Sequence, residues 1–176
     1  MDYHHFGRNS SLHILNIKSI MASKIIFLVT LLAYAVIVSQ SFMYILSLKQ
    51  VQLNLSANAY TEMRKILDTS MRTNFKYVIY LALQANLLLI IVNVKTPTTL
   101  LFITACISFV ALIIDILLTV KGNLPINDII NSWSADNYPA NWTDIRDRWL
   151  SIFQYRQIAN IIGFISLSIA AVFGSK

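Results

Sequence analysis

Four long apolar runs, at residues 25–48, 75–94, 100–120 and 152–173, constrain this chain more than any other feature. At a rise of about 1.5 Å per residue, each can carry a helix across roughly 30 Å of hydrocarbon. Inside a bilayer the backbone must satisfy its own hydrogen bonds, and a run of this length does so as a helix. The composition agrees: 56% of residues are hydrophobic and only 12% are charged, whereas a soluble domain carries about 25% charged residues. The expected fold is all-α, a single integral membrane four-helix bundle over residues 21–176. The formal net charge of +6 then reads as lysine and arginine flanking the spans. No basic stripe interleaves with exposed aromatics outside the runs, so the membrane is an expected partner and nucleic acid is not. A homo-oligomer is compatible with the pattern.

Residues 1–20 are polar and aperiodic, without the apolar core a signal peptide needs. Met21 leads almost directly into the first run and is a second candidate start. Residues 1–20 are therefore expected to be a disordered leader or a gene-model extension. A rival reading takes Lys24, the start of the run and Ala33-Tyr34-Ala35 as a cleaved signal peptide. The run continues well beyond that point, which favours a retained helix. His4, His5 and His13 are the only histidines. A terminal His4-His5 pair is more often incidental than a metal site. Cys106 is the only cysteine; in its apolar run it reads as a small packed side chain.

The connections differ in character. After the first span, Ser56 can cap a short helix with Tyr60, Met63, Ile66 and Leu67 on one side and Glu62, Arg64, Lys65 and Asp68 elsewhere. That pattern fits an interfacial amphipathic helix, and it fits a plain connecting helix equally. Lys95-Thr96-Pro97-Thr98 is a tight turn. Lys121-Gly122 is expected to end the third span, with Gly122 as terminator. A loop over residues 123–141 and a long helix from about Trp142 to Phe173 follow. The side bearing the two large connections holds nine lysines and arginines, against five on the other side, or three if translation starts at Met21. By the positive-inside rule the large connections are cytoplasmic and both termini outside, in a cell membrane.

The segment 122–160 holds all three tryptophans. Trp142, Arg146, Trp149, Phe153, Arg156, Asn160 and Gly163 recur at four- and three-residue steps and share one helical stripe. For Trp142, Arg146 and Trp149 an aromatic belt with snorkelling cations is an equally good account; Asp147 and Arg148 fall off the stripe. Arg156 is different, lying about 9 Å into the apolar run at the helical rise. Asp115 sits at similar depth on the third span. Lone charges there cost several kcal/mol and usually pair inside the bundle, so an Asp115–Arg156 pair is expected. The plainer alternative is a pair that only fixes packing.

Other polar residues reach the same half of the bilayer: Gln40 and Tyr44 on the first span, Tyr80 and Gln84 (with Tyr77) on the second, and Asn160 on the fourth. The opposite half shows little beyond Asn93, Thr104 and Ser166. Such segregation points to a pocket opening towards the large connections. No histidine cluster, carboxylate cluster, glycine-rich phosphate loop or Ser–His–Asp set is available, and no metal or cofactor is expected. Asp115 as base and Arg156 as anion stabiliser remain, with amides and phenols as donors and indoles as walls. They suit a planar, apolar, weakly acidic molecule, or a lipid.

Asn123-x-Pro125-x-Asn127 after the third span, then Trp142, Arg148-Trp149 and Arg156, together with Asn74-Phe75 before the second span, resemble the anthrone-oxygenase-like family of four-helix membrane proteins. The resemblance covers Met21 to Phe173. It departs at Gln154, where relatives carry asparagine or histidine. It implies a cofactor-independent oxygenase that abstracts a proton from a phenolic or ketonic substrate and lets the carbanion react with dioxygen. Asp115 and Arg156 would carry the chemistry, and Gln40, Tyr44, Tyr80, Gln84, Asn123, Asn127, Trp142, Trp149 and Asn160 would bind substrate. A structural role for Asn123, Pro125 and Asn127 in the turn is equally open. The alternative function is a non-catalytic membrane protein that binds a lipid, a quinone or a partner membrane protein.

Overall fold

The computed structural model describes residues 3–134 and 137–174. It is an all-α four-helix bundle. Helix α1 (Tyr3–Met43) continues through a five-residue π-turn, Tyr44–Leu48, into α2 (Lys49–Asn54). Helix α3 (Ala57–Ser70) passes through a second π-turn, Met71–Phe75, into α4 (Lys76–Asn93). Helix α5 (Leu100–Leu118) passes through a third, Thr119–Asn123, into α6 (Leu124–Asn131), and α7 (Trp142–Phe173) is uninterrupted. The chain is thus four rods, each with a stretch long and apolar enough to cross a membrane.

Local chemistry explains the rod ends. Ser56 caps α3 by accepting the Ala59 amide at 3.4 Å, and Thr99 caps α5 by accepting that of Phe102 at 3.4 Å. Pro125 lies in the first turn of α6, directly after the third π-turn. The expected leader is helical from Tyr3: it contains no proline, and a helix nucleated in the span extends back readily. The side chains of His4, His5 and His13, and with them the metal reading of His4-His5, lie outside the described residues.

Three expectations about the connections are corrected. Gly122 does not terminate the third rod. Its backbone stays helical, and a Cβ there would sit 2.7 Å from Ile152 Cγ2, so glycine permits close approach of α7. Residues 123–141 are accordingly not one loop, because α6 occupies their first half. The short helix after the first span is also turned differently from its apolar pattern. Tyr60, Thr61, Arg64 and Asp68 are buried, while Ile66 is 71% exposed.

Around the bundle α1 packs on α4 and α7, and α5 packs on α4 and α7. One core cluster lies within the apolar bands, built on Tyr34, Ile37, Leu89, Leu112 and Leu167, with Ala82 and Ala105 letting the helices approach closely. A second lies under α2, α3 and α6, built on Tyr44, Tyr60, Ile126, Ile130, Trp149 and Phe153. Large apolar side chains such as Leu32, Leu88, Ile107 and Ile165 point outwards on all four rods, a pattern compatible with a membrane-spanning bundle.

Candidate functional site

Between the two core clusters lies a cavity of about 610 Å³, within the range of small-molecule sites. Each rod contributes to its wall: Gln40 and Tyr44; Arg64, Asp68 and Tyr80; Asp115, Asn123 and Asn127; Trp149, Phe153 and Arg156. All three π-turns border it, through Tyr44 and Leu48, Met71 and Phe75, and Thr119 and Asn123. A π-turn inserts a residue into a helix and re-aims the side chains beyond it, and such turns concentrate at functional sites. Val36, Met43, Tyr80 and Val120 line the cavity yet are also exposed on the apolar outer surface. The cavity therefore opens sideways through the apolar outer surface of the bundle.

On its α5–α7 wall, Arg156 donates through Nε to Asp115 Oδ1 at 2.7 Å and through Nη1 to Asn123 Oδ1 at 3.2 Å. Both charged residues are buried. Asn123 Nδ2 donates to the Trp149 carbonyl at 2.9 Å, locking the start of α6 against α7. No donor among the described residues reaches Asp115 Oδ2, so one carboxylate oxygen is held and the other is left without a protein donor. The Trp149 and Phe153 rings stack with centroids 5.1 Å apart, 11° from parallel, and Tyr44 tilts against both. That aromatic ledge borders the cavity beside the Arg156 guanidinium, whose carbon lies 5.1 Å from the Phe153 ring centroid.

On its α3–α6 wall the centre is Asn127. Its Oδ1 accepts Trp149 Nε1 at 2.8 Å and Arg64 Nη2 at 2.7 Å, and its Nδ2 donates to Asp68 Oδ1 at 2.7 Å. Asp68 also receives Asn131 Nδ2 and Arg72 Nε, each at 2.8 Å. Arg64 lies over the Trp149 ring, its guanidinium carbon 3.8 Å from the centroid, and donates to the Tyr44 hydroxyl at 3.3 Å. Gln52 Nε2 reaches the same hydroxyl at 2.9 Å. Nearby, burial pushes the Tyr60 phenol up to about 12, with Arg64 opposing the rise.

The structure brings Gln40, Tyr44, Tyr80, Asp115, Asn123, Asn127, Trp149 and Arg156 to one cavity. Three expected ligand-binding residues are elsewhere. Gln84 is exposed, because the helix turn from Tyr80 to Gln84 carries it past the mouth to the outer face. Trp142 packs on Tyr60, with ring centroids 5.8 Å apart, beneath Arg146. Its role is to seat α7 on α3. Asn160 is buried but does not border the cavity; the stripe continues past the cavity into the bundle. The halves are also less segregated than the sequence implied. Tyr34 donates to the Ser108 carbonyl at 2.7 Å, and the Asn86 amide lies 2.8 Å from the Ser108 hydroxyl in the inner core.

Arg64 and Asp68 were the functional candidates hidden in the sequence. Tyr60, Arg64 and Asp68 recur every four residues and so share a face. That face looked solvated because two of its members are charged, and nothing local marks it as buried against Asn127 and Trp149. Compared with models of known families, with curated proteins and with solved structures, the chain returns no significant match.

Proposed function

We propose that this protein is a membrane-embedded oxygenase-like protein. It holds a planar, apolar phenolic or ketonic molecule in the cavity and acts on it by proton abstraction and direct reaction with dioxygen. The observation that carries this reading is one wall on which a stacked aromatic ledge, a paired guanidinium and a carboxylate oxygen without a protein donor all border the same cavity. A flat ring packs against the edge of the Trp149–Phe153 stack, with its oxygen towards Arg156. Asp115 Oδ2 takes the proton of an activated methylene, and Arg156 stabilises the resulting enolate. The carbanion then reacts with dioxygen: methylene and O₂ become carbonyl and water, so oxygen receives the four electrons that carbon loses. The resemblance to the anthrone-oxygenase-like family points the same way and needs no cofactor.

Oxygen uptake by the purified protein with anthrone tests this reading. Anthrone-dependent uptake with anthraquinone as product is expected, and Arg156→Lys should retain binding but lose most turnover, because lysine lacks the planar donor fork. Anthrone that binds without oxygen consumption would instead favour a second reading, a non-catalytic site for a quinone or lipid. The Asp115–Arg156 ion pair, in which the only carboxylate on that wall is already engaged, supports this alternative. The lateral mouth fits either, since an apolar ligand arrives through the bilayer.

The proposed orientation places the large connections in the cytoplasm and both termini outside. In a Cys106→Ala background, a cysteine at Thr98 should label from outside intact cells and one at exposed Ser134 should not. The reverse labelling would overturn it.

A further inference from the structure

Among the charged groups of the cavity, Arg64 stands apart. Arg156 has Asp115, while Arg72 has Asp68 at 2.8 Å and Asp128 at 2.6 Å. No carboxylate among the described residues comes within salt-bridge distance of Arg64, although it is only 5% exposed. Asp68, one turn further along the same helix, is engaged by Asn127, Asn131 and Arg72. What surrounds the Arg64 guanidinium is neutral: the Tyr44 hydroxyl, the Asn127 amide oxygen and the Trp149 π-face. Its Nε is buried with no hydrogen-bond partner.

Guanidinium stays protonated in proteins, so this is a permanent, desolvated charge. A buried cation without an anion is costly unless something balances it. Dipoles and an indole recover part of that cost. They do not supply the bidentate acceptor that a guanidinium fork matches best. Arg64 borders the cavity, and Lys76 at the rim adds a second positive group. Arg64 sits on Trp149, part of the ledge beside which the proposed planar molecule packs.

We propose that the molecule held in this cavity carries a carboxylate, separate from its reacting oxygen, and that Arg64 is the residue that docks it. This deepens, and rests on, the reading of the cavity as a site for a planar apolar molecule. The ligand class becomes an aromatic carboxylate spanning the two guanidinium groups. Its ring packs beside Trp149 and Phe153, its acid meets Arg64 and its phenol or ketone meets Arg156. Placed this way, the acid fixes which carbon of the ring system faces Asp115.

The test uses anthracene-2-carboxylate, its neutral carboxamide and palmitate, titrated at neutral pH against the full chain in uncharged detergent, with protein-free micelles as blank. The carboxylate should bind at least about tenfold more tightly than the carboxamide, as expected for a desolvated charge-assisted contact. Arg64→Gln should bring that ratio to about one while carboxamide binding persists, which also shows that the variant folds. Arg64→Lys should keep part of the preference, and decides the matter if the glutamine variant does not fold. A ratio near one in the unaltered protein, or a preference that survives Arg64→Gln, overturns the proposal but leaves the planar site standing. If palmitate binds in an Arg64-dependent way and neither flat probe binds, the carboxylate stands and the planar reading fails. If none of the three binds, both are overturned.

Discussion

The two halves of the bundle solve the problem of buried polar groups in opposite ways. Towards the Lys95–Thr98 turn the interior is closed: Tyr34, Asn86, Ser108, Thr104 and Ser166 satisfy one another or a neighbouring carbonyl. Towards the large connections the interior is charged, bent by three π-turns and incompletely satisfied. Buried atoms of Ser41, Gln52, Tyr60, Arg64 and Asn160 lack partners, and each of these residues lies in the cavity half or just beneath it. Unsatisfied buried groups normally cost about 1–3 kcal/mol each, so their concentration in one half marks where stability is given up. The inner half holds the rods in register, and the outer half uses that rigidity to display groups that would not hold a fold together.

The sharpest way to break this contrast is to unbalance the ion pair. Arg156→Ala leaves Asp115 alone at 1% exposure, and Asp115→Ala leaves Arg156 alone. Each should lower stability by about 3–5 kcal/mol, since removing one member of a buried pair leaves an uncompensated charge. The double substitution should cost less than the sum of the two. Thermal or denaturant unfolding in detergent gives the four corners of the cycle, and strictly additive losses would show that the 2.7 Å contact contributes no coupling.

The second effect is smaller and belongs to the closed half. Gly163 faces the Tyr34 phenol so closely that an added Cβ would overlap its hydroxyl end, with the ring Cε1 only 2.7 Å away. Gly163→Ala should therefore cost about 1–3 kcal/mol through overpacking. Adding Tyr34→Ala should remove that clash penalty, so alanine at 163 costs little in the Tyr34→Ala background. Ligand binding should track stability in this series, because neither residue borders the cavity. A Gly163→Ala protein of unchanged stability but altered ligand affinity would show that the two halves are not separate devices.

The same contrast decides what the sequence could reveal. The four rods were legible because their apolar runs are as long as a membrane crossing would require, and the Asp115–Arg156 pair because a charge inside an apolar run has few places to go. The α7 stripe was legible as a period, and Trp149, Phe153 and Arg156 do reach the cavity. Where that period met the cavity edge was not, so Trp142 and Asn160 were included. The α3 face defeated the pattern altogether. Amphipathicity predicts that Arg64 and Asp68 face water, but here the polar side is buried against Asn127 and Trp149, partners far away in sequence. The π-turns carry no glycine or proline signature shared among the three, and helical periodicity alone does not reveal them.

The smallest expected effect tests the stripe itself. Arg148 and Arg156 are both arginines on α7, eight residues apart, but the helix turns Arg148 outwards, where it is exposed and does not border the cavity. Arg148→Lys keeps the charge at a solvated position and should change both stability and ligand affinity by less than about 0.5 kcal/mol, as surface substitutions do. Arg156→Lys replaces a fork that reaches Asp115 and Asn123 together with a single ammonium on a flexible stem. It keeps the charge that Asp115 needs, so the fold should survive, while the orientation offered to a ligand oxygen is lost. Anthrone-dependent oxygen uptake by the two folded variants reads the difference directly. If Arg148→Lys lowers turnover as much as Arg156→Lys, α7 presents a different face to the ligand, and the site lies nearer the start of α7 than the aromatic ledge.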